Sequence, residues 1–386
     1  MIKVLFLSQW YPNRYDKMFG LFVQKHAEAV SLYCDVRVLY LHADNNVKKI
    51  EIVKESNSKL SELIVYYPSN SDCVFHKITN LINYFRAFIK GYKEITRDGF
   101  APDIVHANVL TRTGFIAYLL KKWKKTPYVI TEHWTRYLPE IDSYKGILRV
   151  FITKKVVSNA SAVLPVSNLL VSAMQALKLK NSNYIVVDNV VDDVFFKDIP
   201  TEKRLKKRIL HISCFYDIQK NISGILRATL ALSKIRNDFE FVIIGNGIDF
   251  DKLINYAKGL NFQSGILNFI GEKSSADVAK WLHNSDFFLL FSNYETAGVI
   301  IAESLVCGKP VLSTRVGAAP DYINNKNGVI IPIGDEKILV ETMSFLLDNL
   351  ENYKMDEIKS NAKSKFSYES VGSKINDIYK QTLGNS

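Results

Sequence analysis

The tract SNYETAGVIIAESLVCGKP, Ser292 to Pro310, carries two carboxylates, Glu295 and Glu303, with seven residues between them in otherwise apolar surroundings. The neighbouring residues say where each acid sits. DFFLLF (Asp286 to Phe291) is a short apolar run rich in aromatics and reads as a buried strand. GVIIAESLVC has helical length, Gly308 stands where a C-terminal cap belongs, and Pro310 ends any continuation. VLST (Val311 to Thr314) follows as a second strand, so the segment is one βαβ unit of a parallel sheet.

In such a unit the acids have different surroundings. Glu295 belongs to the loop leaving the carboxyl end of a strand, where open α/β sheets bind ligands. Glu303 belongs to the second turn of a helix that opens near Ala297 and Gly298, whose free backbone N–H groups suit a phosphate. A ligand reaching both acids is polar at each end and anionic in the middle, which is the shape of a nucleotide sugar. The same two acids fit equally well as a helix cap and a solvated surface carboxylate, and the tract by itself does not choose.

The elements that position this tract run through the whole chain. At 386 residues and 47% hydrophobic content, the chain has the length of two domains and can fill substantial cores. Strands are expected at Lys3–Gln9, Asp35–Leu41, Pro102–Asn108, Tyr128–Thr131 and Ala162–Ser167, with helices between them, as in a parallel sheet covered on both faces. FKDIPTEKRLKKR (Phe196 to Arg208) interrupts the pattern as a charged stretch with one proline and is the expected linker. Alternation resumes with ILHIS, a helix near Ile222 to Ile235, FEFVIIGNG and ILNFIG, and the chain ends in a helix over Ser367 to Leu383. The resulting division is a Rossmann-like domain over 1–195, the linker over 196–208, a second Rossmann-like domain over 209–365, and a C-terminal helix over 366–386.

Composition excludes several classes. No apolar run approaches the ~18 residues of a membrane span. MIKVLFLSQW lacks a small-residue cleavage site and reads as a first strand, so a cytoplasmic protein is expected. Cys34, Cys73, Cys214 and Cys307 are scattered without Cys-x-x-Cys or paired-histidine spacing, which suggests buried or inert thiols and neither a disulfide frame nor a zinc site. Gly245, Asn246 and Gly247 follow a strand but do not complete the dinucleotide fingerprint G-x-G-x-x-G. Net charge is +11, and +9 of it falls in residues 1–195, with 26 Lys and Arg against 17 Asp and Glu. Its basic, aromatic tracts Lys121 to Lys125 and Tyr144 to Val156 suit an anionic membrane surface, or an ordinary solvated helix face; no nucleic-acid motif accompanies them.

Taken together, ETAGVIIAE, ESLVCGKPVLSTRVGAAPDYI (Glu303 to Ile323), NGVIIPIGD (Asn327 to Asp335), VSN (Val166 to Asn168), DNVVD (Asp188 to Asp192) and SQWYPNRYDKMFGLFVQKHAEAV (Ser8 to Val30) cover most of the chain. The ensemble resembles the family-four retaining glycosyltransferases, with their Glu-x7-Glu motif and GT-B fold: two Rossmann-like domains facing a deep cleft, and a C-terminal helix returning to the first. The resemblance implies that Glu295 meets the hydroxyls of the transferred sugar and Glu303 the nucleotide ribose. It gives the diphosphate to the amides of Ala297, Gly298 and Val299, with Lys220 as the cation at the leaving phosphate. His133, in TEHW, resembles the histidine that leans over the donor sugar, and Gly20 would let the first loop approach phosphates or acceptor. Many relatives carry an arginine shortly before the lysine, whereas Ser213 to Asp217 holds none; either another basic residue such as Lys273 or Arg315 supplies the missing donor, or the enzyme is slow or without turnover.

The activity so implied is metal-independent and needs no cofactor beyond the nucleoside-diphosphate sugar. It transfers a hexose-type sugar with retention to a glycan or lipid-linked acceptor, as in cell-surface polysaccharide or glycolipid synthesis, with peripheral attachment at the inner face of the membrane. In that chemistry Glu295 positions the sugar and does not attack it. A sugar-nucleotide epimerase of the same build and a non-catalytic partner subunit are the competing readings.

Overall fold

The computed structural model describes residues 1–56, 60–69 and 74–384. The chain divides into two compact units, one comprising Met1–Val166, Leu170–Val190 and Tyr368–Ser386, the other Ser167–Leu169 and Val191–Ser367.

In the first unit the elements are β1 (Lys3–Ser8), α1 (Leu21–Ser31), β2 (Asp35–Asp44), β3 (Glu51–Ser56), β4 (Ser61–Pro68), α2 (Val74–Ile95), β5 (Ile104–Asn108), α3 (Arg112–Lys124), β6 (Tyr128–Glu132), α4 (Ile147–Asn159), β7 (Ala162–Pro165) and α5 (Asn168–Ala176). Seven strands form one sheet in the order β3-β4-β2-β1-β5-β6-β7. Its central strands are buried at nearly every position because helices cover both faces, so neither side of the pleat meets water. The expectation of a wholly parallel sheet needs one correction: β3 runs antiparallel to β4 at the edge. Glu51, Lys54 and Glu55 are exposed along it, and charged residues of this kind discourage further strand pairing.

The second unit contains β8 (Lys207–Ile212), α6 (Asp217–Lys220), α7 (Ile222–Ser233), β9 (Phe239–Ile244), α8 (Phe250–Gly259), β10 (Leu267–Gly271), α9 (Ser275–His283), β11 (Phe287–Leu290), α10 (Val299–Val306), β12 (Val311–Thr314), α11 (Ala319–Tyr322), β13 (Gly328–Ile331), α12 (Glu336–Asp348) and α13 (Met355–Phe366). Its sheet is parallel throughout, in the order β10-β9-β8-β11-β12-β13. The charged stretch before β8 has no helix or strand over 197–206, yet it is held to its own unit: Arg204 pairs with Asp286 at 3.0 Å and the amide of Glu202 donates to Asn284 Oδ1 at 2.7 Å.

The last helix, α14 (Tyr368–Leu383), belongs to the first unit and packs along α1. The Tyr379 hydroxyl meets His106 Nδ1 at 2.5 Å within the core, and the other ring nitrogen of His106 meets Thr131 Oγ1 at 2.6 Å. Among the described residues no helix is long and apolar enough to cross a membrane.

Each sheet reverses its strand order once: β2 and β5 flank β1 in the first unit, and β9 and β11 flank β8 in the second. At such a reversal the connections on the two sides leave for opposite faces and open a crevice at the carboxyl ends of the strands. The loops after β1 and β5, and after β8 and β11, are therefore where ligands are expected.

Candidate active site

In the second unit the two loops at the reversal are stitched together. The amide of Asn293 donates to the carbonyl of Gln219 at 2.7 Å, and the Asn293 side chain donates to the carbonyl of Ile218 at 2.9 Å. This brings Lys220, at the end of α6, against Glu295, in the loop after β11. Lys220 Nζ forms an ion pair with Glu295 Oε1, and only 12% and 9% of the two side chains are exposed. Ser292 Oγ donates to the same oxygen at 2.9 Å, and Gln219 Nε2 to the other at 3.3 Å. Burial pulls the Lys220 ammonium toward neutrality, but the charge of Glu295, with Cys214 and a direct hydrogen bond adding to it, leaves its pKa raised.

The helix start lies beside this pair. Gly298 precedes α10 in the left-handed region, φ 72°, which residues with a Cβ rarely adopt. Gly298 has no side chain with which to cap the helix, and Glu295 is engaged elsewhere, so it is not the cap. The first amides of α10 therefore keep their donors and the positive end of the helix dipole. The loop after β12 closes over the tract: Ala318 N donates to the carbonyl of Ala297 at 3.1 Å, and a Cβ at Gly317 would lie 2.8 Å from that of Glu295. Glu303 sits on the second turn of α10, half-buried, close enough to Cys307 that its charge adds to burial in pushing that thiol's pKa up.

The structure thus brings together Lys220, Glu295, Ala297, Gly298, Val299 and Glu303 on one edge of one sheet. Among the described residues neither Lys273 nor Arg315 is ion-paired with Glu295: Lys273 is exposed and acts on Asp277, while Arg315 is exposed at the start of the loop after β12. In the arginine's window stands Cys214, which is exposed, unlike the buried Cys34 and Cys307; Cys73 lies outside the described residues. Burial, one half of the expectation of buried or inert thiols, thus holds for two of the three described cysteines.

His133 and Gly20 belong to the first unit. His133 follows β6, is buried, and packs its ring against Phe22 at 4.6 Å and His26 at 5.5 Å between centroids. Burial, with the neighbouring His26 and His106, holds its pKa well below that of a free histidine, so it is a neutral imidazole, and its Nε2 has no protein partner among the described residues. Gly20 precedes α1 at φ 68°, and the close approach it permits is to the protein's own chain: a Cβ there would come within 2.5 Å of the Trp10 carbonyl oxygen. Trp10 meets Trp134 at 5.1 Å and Phe22 at 6.3 Å, so Gly20 and His133 border one aromatic cluster.

Sequence reasoning missed Ser292, Gln219 and Gly317. Ser292 and Gln219 each stand within three residues of a residue that was found, and serve to orient it. Gly317 had only its type as a signal. Glu132 was also missed: it is buried beneath the His133 loop and accepts from the amides of Leu110, His133 and Trp134 at 2.8–2.9 Å, which fixes the backbone of two adjacent loops.

Residues 193–365 match the model "Glycosyl transferases group 1" and residues 73–189 match "Glycosyl transferase 4-like domain". The second half is a group 1 glycosyltransferase domain. It follows a glycosyltransferase 4-like domain, and the two α/β units together are a GT-B fold. An uncharacterized glycosyltransferase of Methanocaldococcus jannaschii is 25% identical over 88% of this chain and 93% of its own length. The N-acetyl-alpha-D-glucosaminyl L-malate synthase of Bacillus anthracis is 26% identical over 73% of this chain and 75% of its own. A Campylobacter jejuni enzyme, N-acetylgalactosamine-N,N'-diacetylbacillosaminyl-diphospho-undecaprenol 4-alpha-N-acetylgalactosaminyltransferase, is 24% identical over 71% and 75%. In fold, the sucrose-phosphate synthase of Thermosynechococcus elongatus superposes with TM-score 0.76 at 14% identity over the whole of both chains, and Anabaena HepE in complex with UDP with TM-score 0.74 at 14% identity over 98% and 100%.

Proposed function

We propose that this glycosyltransferase moves a hexose-type sugar, with retention, from a nucleoside-diphosphate sugar to a glycan or lipid-linked acceptor in the synthesis of a cell-surface polysaccharide or glycolipid. One observation carries the reading: the buried Lys220–Glu295 pair stands beside an uncapped helix start, with Glu303 one turn along. A diphosphate placed on the amides of Ala297, Gly298 and Val299 would complete the helix start, and Lys220 would offset the charge that develops as the phosphate leaves. His133 is proposed to face the sugar as a neutral hydrogen-bonding group.

Glu295 is the sugar's anchor in this proposal. A carboxylate offers about four lone-pair sites. Three are taken by Lys220, Ser292 and Gln219, which leaves capacity for a sugar hydroxyl and lowers the carboxylate's power as a nucleophile. Positioning and charge stabilisation therefore suit it better than the covalent role a second carboxylate plays in retaining hydrolases. The names of the Bacillus and Campylobacter relatives both state alpha-linked sugars, which for an alpha-linked donor is retention. The Campylobacter name includes a lipid diphosphate acceptor, and the Anabaena structure holds UDP. No metal is assigned a role, and turnover in excess EDTA is the expected result.

The exposed basic face of the first unit supports peripheral attachment to an anionic membrane. Trp123 is 71% exposed among the lysines that end α3, and α4, which packs on α3, exposes Ile147, Leu148 and Phe151 beside Lys154 and Lys155. Liposome pelleting that ignored anionic lipid and salt would remove this part of the proposal.

A thermal-shift panel of uridine, guanosine and adenosine diphosphate sugars tests the function itself. A donor at 100 times its dissociation constant stabilises the fold by about 2.7 kcal/mol. Stabilisation by none of them would end the transferase reading. The arginine missing before Lys220 favours one alternative, a partner subunit without turnover of its own; it predicts nucleotide binding too weak to measure by calorimetry.

A further inference from the structure

The carboxyl edge of the first sheet carries a cavity of about 470 Å³, within the ~300–1,000 Å³ typical of small-molecule sites. Gln9 enters it from the loop after β1, Thr111 from the loop after β5, Arg112 from the first turn of α3, and Trp134 and Arg136 from the loop after β6. It therefore stands at the reversal of the first sheet, where such folds take ligands. The walls are apolar, formed by Leu81 and Phe85 of α2, Phe115 of α3 and Ile152 of α4.

The polar lining is one-signed. Arg112, Arg136 and Arg149 all border the cavity, and none of the lining residues is acidic. Arg112 reaches the Tyr67 hydroxyl at 3.3 Å and lies 5.2 Å from the Tyr84 ring centre, so its partners are neutral. Arg136 lies over Trp134, its Cζ 3.4 Å from the ring centre, and its Nε has no protein partner among the described residues. Burial and the adjacent Arg149 both disfavour its charge. Glu132 below offers partial relief, but its carboxylate is spent on three backbone amides and burial raises its pKa to about 7. Three guanidinium groups without an acid beside an apolar slot are complementary to an anionic head on a hydrocarbon tail. The helices flanking the slot add apolar side chains open to solvent: Leu81, Ile78 and Ile82 on α2, with Ile147, Leu148 and Phe151 on α4.

We propose that this cavity binds a lipid with a diphosphate head, the head held by Arg112, Arg136 and Arg149 and the tail laid along Leu81, Phe85, Phe115 and Ile152 toward the exposed faces of α2 and α4. The inference rests on the transferase reading for its purpose, since it names the class of acceptor, but its binding test is independent of that reading.

The probe is farnesyl diphosphate, titrated calorimetrically into the full chain below its micelle concentration, with inorganic pyrophosphate and farnesol as separate arms. Farnesyl diphosphate is expected to bind at least about tenfold more tightly than either part alone. The double variant R112Q/R149Q, at two exposed positions, is expected to weaken it about a hundredfold, roughly tenfold for each lost cation. L81S is expected to weaken farnesyl diphosphate and leave pyrophosphate unchanged. Equal binding of pyrophosphate and farnesyl diphosphate, indifference to R112Q/R149Q with retained melting temperature, or no heat at all each overturns the proposal. Thermal shift with uridine diphosphate is run on the same samples. Nucleotide binding without lipid binding removes the lipid site and keeps the transferase, whereas lipid binding without any nucleotide does the reverse.

Discussion

Lys220 Nζ is ion-paired with Glu295 Oε1 at the reversal of the second sheet, although the two residues lie in different loops and both side chains are almost wholly withdrawn from water. A charge so placed depends on its partner. Lys220→Met leaves the Glu295 carboxylate buried without a cation, and removing one member of a buried pair costs about 3–5 kcal/mol. Urea denaturation of the single variants and of K220M/E295L is the measurement: the double variant is expected to be more stable than K220M. If K220M costs under about 1 kcal/mol, the pair behaves as an exposed one.

Glu295→Gln keeps the shape and removes the charge. Turnover is expected to fall by about a hundredfold or more, with the dissociation constant for donor within a few fold of wild type. Mass spectrometry of the wild type with donor should find no glycosyl adduct at Glu295; an adduct there would make it the nucleophile.

Gly317 and Gly334 separate local crowding from backbone strain. Both have positive φ, 52° and 75°, but a Cβ at Gly317 meets Glu295 Cβ at 2.8 Å whereas nothing lies within 4 Å of one at Gly334. Alanine at either costs about 1 kcal/mol of stability through its backbone. Only G317A is expected to depress kcat, because it displaces the loop bearing Glu295. Equal kinetics in the two variants would disconnect Gly317 from the site.

Buried histidines make the fold acid-sensitive. Burial lowers His26 and His211 to about 4 and holds His106 and His133 well below a free histidine. An unfolded histidine takes its proton near pH 6.5. Between pH 6.5 and 4 the unfolded chain thus binds more protons, and stability falls as pH falls, by about 3 kcal/mol for each of His26 and His211. Glu132 opposes this. Its folded pKa, raised to about 7, makes the native state the better proton binder between pH 4.5 and 7, which offsets roughly one histidine. The net expectation is a lower urea midpoint at pH 4.5 than at pH 7; equal midpoints would mean that the imidazoles are charged inside the fold.

Cys214 reports on the site. It is exposed and close enough to Lys220 for their charges to interact, whereas Cys34 is buried with its thiol pushed up to about 11 and Cys307 is buried as well. Iodoacetamide is expected to label Cys214 ahead of Cys34 and Cys307, and saturating nucleoside diphosphate to slow that labelling. Undiminished labelling, with binding confirmed by calorimetry, would put the nucleotide elsewhere.

Sequence alone determined the alternation of strands and helices and the strand, loop, helix and strand around Glu295. Both depend on local properties: central parallel strands are continuous apolar runs, and Gly308 and Pro310 punctuate the helix whatever it packs against. The edge hairpin of β3 and β4 escaped because its first strand, EIVKES, is charged and half-solvated, so its identity comes from pairing with β4 and not from its own composition.

What only the tertiary structure decided is which groups meet. Lys220 and Glu295 are 75 positions apart and touch because β8 and β11, remote in sequence, are neighbours in the sheet. Ser292 and Gln219 acquire their roles from the same adjacency, and Gly317 acquires its role from a third loop. The three arginines around the first unit's cavity come from the start of α3, from a short turn and from α4, and the absence of an acid from its lining is a property of the space they enclose. Periodicity and capping act over a few residues and can be read along a chain, whereas electrostatic partnership depends on distance in space, which strand order sets.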